Sequence, residues 1–340
     1  MNTVTFDLSD VISQGFNNVA NNIMPHSERL RESTAPVKIS FTWFGARKAI
    51  SDVHKEEIAE KYGAAAKRIS ASKKLLEKHP ALKELQRIKG EITRYWKDNT
   101  LPFPEDGIRL LRKERLAEFR YQLQVFANDL TEAVRNLDDA RYEIMEIARQ
   151  ELGDLYDADD YPASFADRFS VQVSYPNISI PNYLAELDPE AFEAEKQRVT
   201  QQFEAGVREA EQEFIKQFEG LLSHLADRLT PDPVTGEAKT FKAASLDNLN
   251  EFFERFKSLS IGSNDRLDTL VTEAQDIVSG LNPKTLRNNV TLRESIAANL
   301  ASVRDTLDTM IIDRPRRRII RDVPVLPDGS SEAPTDPESN

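Results

Sequence analysis

The chain has 340 residues, 39% hydrophobic and 30% charged, with a formal net charge of −12. Length suggests roughly two domains, and the complete lack of cysteine excludes disulfides, cysteine-held zinc, iron–sulfur clusters and thiol nucleophiles. Glycine fills only 12 positions, which suits a helix-dominated chain, and the longest uncharged stretch, 169–185, contains Pro176 and Pro181 and cannot be a membrane helix.

The first 35 residues are rich in asparagine and weakly patterned, which predicts a loosely held arm. Met1 to Asp10 has no basic flank leading into an apolar run, so no secretory leader is expected. Val37-Lys38-Ile39-Ser40-Phe41-Thr42-Trp43 alternates with period two and predicts a strand ended by Gly45. Ile50, Val53, Ile58 and Tyr62 mark one helix; Leu82, Leu85, Ile88, Ile92 and Tyr95, behind Pro80, mark another. Leu101-Pro102-Phe103-Pro104 then breaks the pattern, because two prolines so close together cannot continue a helix.

Five heptads follow. Leu116, Leu123, Leu130, Leu137 and Ile144 form one series, and Phe119, Phe126, Ala133, Ala140 and Ile147 the interleaved one. They predict a single helix ending near Gly153, with an apolar seam about 46 Å long. A second long helix opens at Asp188-Pro189-Glu190, an N-cap with proline in the first helical position. Its apolar residues recur every eleven: Phe192, Phe203, Phe214 and Leu225, joined by Val199, Ala210 and Leu221 and by Val207, Phe218 and Leu229. Heptads demand a left-handed course and hendecads a straight or slightly right-handed one. One uniform coiled coil is therefore excluded, and an antiparallel pair sharing part of a seam, a coiled-coil-like stalk, is expected.

Between the long helices, Phe169-Ser170-Val171-Gln172-Val173-Ser174-Tyr175 alternates again, and Ile319, Ile320 and Val323 form a short β-prone run. These predict a sheet of two or three strands, from 37–43, 169–180 and 317–325, capping one end of the helical body. Three more helices are marked by Leu246, Leu249, Phe252 and Phe256, by Leu267, Leu270, Ala274 and Ile277, and by Ile296, Leu300, Val303, Leu307 and Met310. The expected fold is mainly α and elongated. Its parts are an arm at 1–35, a strand with basic helices at 36–104, two long helices with the strand segment at 105–230, helices and a short strand at 231–323, and a disordered acidic tail at 324–340.

The segment from Ile39 to Lys48, the run Thr100-Leu101-Pro102-Phe103-Pro104-Glu105-Asp106-Gly107, Leu152-Gly153-Asp154-Leu155 with Asp160-Tyr161-Pro162, and the strand at 169–175 together resemble an uncharacterised family of phage- and prophage-encoded proteins over about residues 38–310. That family is distantly similar, over its first half, to a bacterial family of unknown function whose genes can lie near MoxR-type AAA+ ATPases. The resemblance implies a biological setting and brings no catalytic residue.

Charge is unevenly distributed. Residues 38–97 hold 15 Lys or Arg against 7 Asp or Glu, net +8, whereas 154–213 hold 4 against 14, net −10. Lys67, Arg68, Lys73, Lys74 and Lys78, with Tyr95 and Trp96 beyond them, suit a phosphate backbone with aromatics stacking on bases; equally, the two oppositely charged regions suit mutual attraction or simple solvation. Arg316, Arg317 and Arg318, within Arg314–Arg321, suit phosphates or acidic partners, or else the charged edge of a strand.

Asp154, Asp157, Asp159 and Asp160 lack the glycine and distant glutamate of a calcium loop. His26, His54, His79 and His224 show no metal-binding spacing, and no phosphate loop or nucleophile elbow is present in the sequence. No enzyme, metal or cofactor is expected. Two classes remain: an interaction or scaffold protein binding a protein partner or itself through the helical stalk, and a nucleic-acid accessory in phage replication, recombination or counter-defence. In either case a protein without a membrane role is expected, in the cytoplasm, the host's if phage-encoded.

Overall fold

The computed structural model describes residues 24–76, 79–181, 183–231 and 239–311. α1 (His26–Ser33) runs directly into β1 (Thr34–Thr42). After β2 (Arg47–Ala49), α2 (Asp52–Tyr62) and β3 (Ser72–Lys74) come α3 (Pro80–Asp98), β4 (Thr100–Pro102) and β5 (Ile108–Arg112). α4 (Leu116–Asp139), α5 (Arg141–Leu152) and β6 (Ser170–Ser174) follow. The remainder is helical: α6 (Tyr183–Leu187), α7 (Pro189–Leu229), α8 (Ala244–Leu259), α9 (Asp265–Val278), α10 (Pro283–Asn288) and α11 (Val290–Asp308). The described chain is thus mainly α with a small antiparallel sheet.

That sheet has four strands in the order β4-β5-β1-β6, and every pairing is antiparallel. β1 serves two partners in turn. Thr34 to Lys38 pair with β5, and Lys38 to Thr42 pair with β6. Strands β4 and β5 were not expected, because Leu101-Pro102 reads as a helix break. Pro102 is tolerated since β4 is an edge strand, where a missing N–H need not interrupt a ladder. The expected strand at 317–325 lies outside the described residues.

The sheet divides two cores instead of capping one end. Successive strand residues point to opposite faces, and the adjacent Leu110 and Leu111, both fully buried, enter different apolar clusters. Leu110 joins Leu101, Phe103 and the apolar face of α7; Leu111 joins Val37, Ile39 and the faces of α3 and α4.

The heptad seam packs mainly against α3, a correction to the expected pairing of the two long helices. Phe119, Leu123, Leu130, Leu137 and Ile144 are buried, while Leu116 and Phe126 are half-buried. Tyr95 of α3 stacks on Phe119 at 5.5 Å and meets Phe126 edge-on at 5.6 Å. The expected single helix is also interrupted at Ala140, between α4 and α5. Asn136-Leu137-Asp138-Asp139 is weakly helix-forming, and the Asp138 carboxylate turns away to accept the Phe165 N–H at 2.7 Å and the Ser164 hydroxyl at 2.9 Å.

α7 has 41 residues, about 60 Å of helix. It starts where Asp188 and Pro189 set it, with the Asp188 carboxylate accepting the Ala191 N–H at 3.0 Å. Its hendecad stripe is largely buried against α1, α8 and α11: Phe218 stacks on Phe252 with ring centres 5.0 Å apart, and Phe203 lies against Phe103. Gly206 permits that last approach, since a Cβ there would stand 3.3 Å from Phe103 Cδ2. Part of the expected loose arm is therefore ordered as α1, whose Leu30 is fully buried against α7; residues 1–23 lie outside the described residues.

Candidate functional site

The basic segment is partly consumed inside the molecule. β2 and β3 form a ribbon with Arg47 opposite Lys74 and Lys48 opposite Lys73. Like charges directly opposite each other repel, and period two places Lys48 and Lys73 on the same face. Asp160, whose side chain is only 1% exposed, ion-pairs with both. Lys73 also donates to the Leu155 carbonyl at 2.7 Å. Burial pushes the Asp160 carboxyl up, but the hydrogen bonds from Lys48 and Lys73 outweigh it and hold the group below its ordinary value. Hydrogen bonding to Asp160, with its charge, raises Lys48 in turn. Next to it the Tyr161 hydroxyl donates to the Leu75 carbonyl at 3.1 Å, and burial pushes Tyr161 up to about 12.

Of the expected phosphate-binding residues, Lys73 is therefore committed to a structural ion pair. Lys67 and Arg68 lie in the 3-10 turn Ala66–Arg68, exposed and without an ion-pair partner among the described residues. Lys74 is exposed on the ribbon face opposite Lys73. Lys78, Arg316, Arg317 and Arg318 lie outside the described residues. Tyr95 and Trp96 do not form a base-stacking surface: both are packed against the α3–α4 core, and the Trp96 indole N–H is buried without an acceptor.

The aspartate cluster is likewise structural. Asp157 accepts the Asp159 N–H at 3.0 Å and so caps the turn that presents Asp160. Among the described residues no group of three His, Asp or Glu is arranged to hold a metal ion, and no helix is long and apolar enough to cross a membrane.

A second ionic node, unmarked by any local sequence pattern, joins the two cores. Glu213 on α7 accepts from Arg109 of β5 at 3.1 Å and from Arg255 of α8 at 2.9 Å. Arg109 also donates to the Thr100 carbonyl at 2.9 Å, and Arg255 to the Asp98 carbonyl at 3.0 Å, so both guanidiniums bind the backbone where α3 gives way to β4. Both side chains are only 13% exposed, and one carboxylate is shared between them. Burial lowers the Arg109 pKa; Glu213 opposes that shift and Arg255 adds to it.

The surface at the start of α7 is different in character. From Pro189 to Arg198 no residue is buried, whereas buried positions recur from Val199 to Leu229. Just before it, Leu187 is 79% exposed and Tyr183 61% exposed. In sequence Glu186, Asp188, Glu190, Glu193 and Glu195 flank them, Glu193 pairing with Lys196 and Glu195 with Arg198.

The chain matches no protein-family model, no curated protein and no solved structure.

Proposed function

We propose that the chain is a non-enzymatic interaction protein, of phage or prophage origin as its sequence resemblance implies, that binds a protein partner through the exposed end of its long helix. The observation that carries this reading is the contrast within α7: its first ten residues include no buried position, Ala191 and Phe192 being only half-buried, whereas buried positions recur from Val199 to Leu229. A helical end without a buried face gains little stability of its own, and the neighbouring Leu187 and Tyr183 side chains are exposed. Exposed apolar anchors beside Glu186, Asp188 and Glu190, carboxylates with no ion-pair partner among the described residues, fit a partner with an apolar pocket and a basic border, the helix-in-groove mode of recognition. In this reading the stalk is the exposed beginning of α7.

The test uses Leu187→Glu combined with Tyr183→Ala, which should leave the fold intact because both residues are exposed. Proteins captured by the wild-type chain from cells carrying it are compared with those captured by the variant. A protein lost from the variant, then purified, should bind the wild type at least about tenfold more tightly, equivalent to 1.4 kcal/mol. Equal capture of every protein by both chains would overturn the proposal.

A further inference from the structure

Two open clefts meet over the Glu213 node. One, of about 890 Å³, runs from Trp43 along the face of α3 that carries Lys89, Gly90 and Lys97. The other, of about 880 Å³, continues over Lys216 and Gly220 of α7 towards Arg115 and Asn248. They share Arg94, Asp98 and Gln217, so they form one trough across the seam between the two cores. Its walls hold seven cations, Lys89, Arg94, Lys97, Arg109, Arg115, Lys216 and Arg255, against four carboxylates. The trough is thus locally basic on a chain whose formal net charge is −12.

The excess is specific. Arg94 pairs with Asp98 and Glu251 and Arg115 with Glu118, Arg109 and Arg255 share one carboxylate, and Lys97 and Lys216 are exposed with no ion-pair partner among the described residues. At one end the half-buried Trp43 ring, edge-on to Phe41 and Phe169, lines the cleft with Lys89 4.6 Å from its centre. Two interior helix glycines line the floor, Gly90 in α3 and Gly220 in α7, and a Cβ at either would meet nothing within 4 Å. Glycine inside a helix is destabilising relative to alanine. At Gly206 a close neighbour accounts for it; at Gly90 and Gly220 no internal contact does, and the bare backbone faces the trough.

We infer that this trough binds single-stranded nucleic acid, its phosphates lying along Lys97 and Lys216, a base packing against Trp43 where the ring lines the cleft, and the strand approaching the backbone at Gly90 and Gly220. Cations tracking a backbone beside an aromatic face are the elements of sequence-tolerant single-strand binding. An acidic peptide would use the charges but has no need of the ring. This site is separate from the α7 end assigned to a protein partner, and it differs from the basic residues at 67–78.

The test is fluorescence anisotropy of the full chain with a labelled oligothymidylate of about 15 nucleotides in low salt. Lys97→Glu combined with Lys216→Glu should weaken binding at least about tenfold and flatten the dependence of log affinity on log salt by about 1.4, two phosphate contacts on a single strand. Binding should quench tryptophan fluorescence in the wild type and not in Trp43→Phe, because Trp43 lines the trough and Trp96 does not. Gly90→Ala should melt no lower than wild type yet bind more weakly. The inference is overturned if the wild type does not bind, or if Lys67→Glu with Arg68→Glu abolishes binding that the trough variant retains. It is also overturned if polyglutamate competes as well as the oligonucleotide without quenching tryptophan, which would make the trough an acidic-peptide site.

Discussion

At Asp160 one carboxylate faces two lysines from opposite strands, and its removal would leave those lysines facing each other on one face of the ribbon. Breaking a buried pair by removing one partner costs about 3–5 kcal/mol, and the 54% exposure of Lys48 reduces this to an expected loss of about 2–3 kcal/mol for Asp160→Asn. The pH dependence follows from the sign of the shift. The folded pKa lies below the ordinary 3.8, so the contribution is complete above that value and is lost as pH falls through the folded pKa. Thermal melts from neutral pH down to about pH 3 should therefore show the wild-type advantage over Asp160→Asn narrowing at the acid end. A constant gap across that range would mean that Asp160 does not anchor the ribbon through its charge. Sequence could mark Asp160 only as one of four neighbouring aspartates, because its partner Lys48 is 112 residues away and no local spacing encodes such a pair.

At the scale of the element, what was legible depended on length and repetition. The hendecad stripe runs from Phe192 to Leu229 of α7, and its periodicity identifies the helix and, from Val199 onward, its buried face. The heptad seam identifies the buried face of α4 equally well, but a repeat specifies only that a face is covered, not by what; α3 covers it. Strands of three and five residues such as β4 and β5 are too short for a period to emerge, and the prolines nearby point the other way. The break at Ala140 was hidden because the apolar series continues in register through it. This gives a paired prediction. Leu130 is 3% exposed and Ile147 is 39% exposed, although both occupy seam positions. Leu130→Asp should cost several kcal/mol by burying an unpaired charge, about 3 or more, whereas Ile147→Asp should cost about 1 kcal/mol or less. Chemical denaturation of the two variants measures the difference, and equal losses would show that the seam is uniformly buried across the break.

For the whole molecule, the charge asymmetry visible in the sequence is partly a folding device: cations from the first half meet carboxylates of the acidic stretch at Asp160 and Glu213. Which cations remain for a ligand cannot be read from composition, since Lys73 is consumed while Lys97 and Lys216 stay exposed, and only the three-dimensional arrangement places α3 beside α7. Glu213 tests how tightly the two cores are joined. Arg109 belongs to the dividing sheet, Arg255 to α8, and both donate to the Lys97 carbonyl near the end of α3. Glu213→Ala should strand two largely buried guanidiniums and lower stability by about 3 kcal/mol or more. Hydrogen exchange should then rise in α3 and α8 together, with one melting transition moving down without splitting. Adding Arg255→Met removes one stranded charge, so the double variant should be more stable than Glu213→Ala alone. Faster exchange confined to α8, with α3 unchanged and no recovery in the double variant, would show that the cores are held together by the sheet's apolar faces and that the ionic node is incidental to their union.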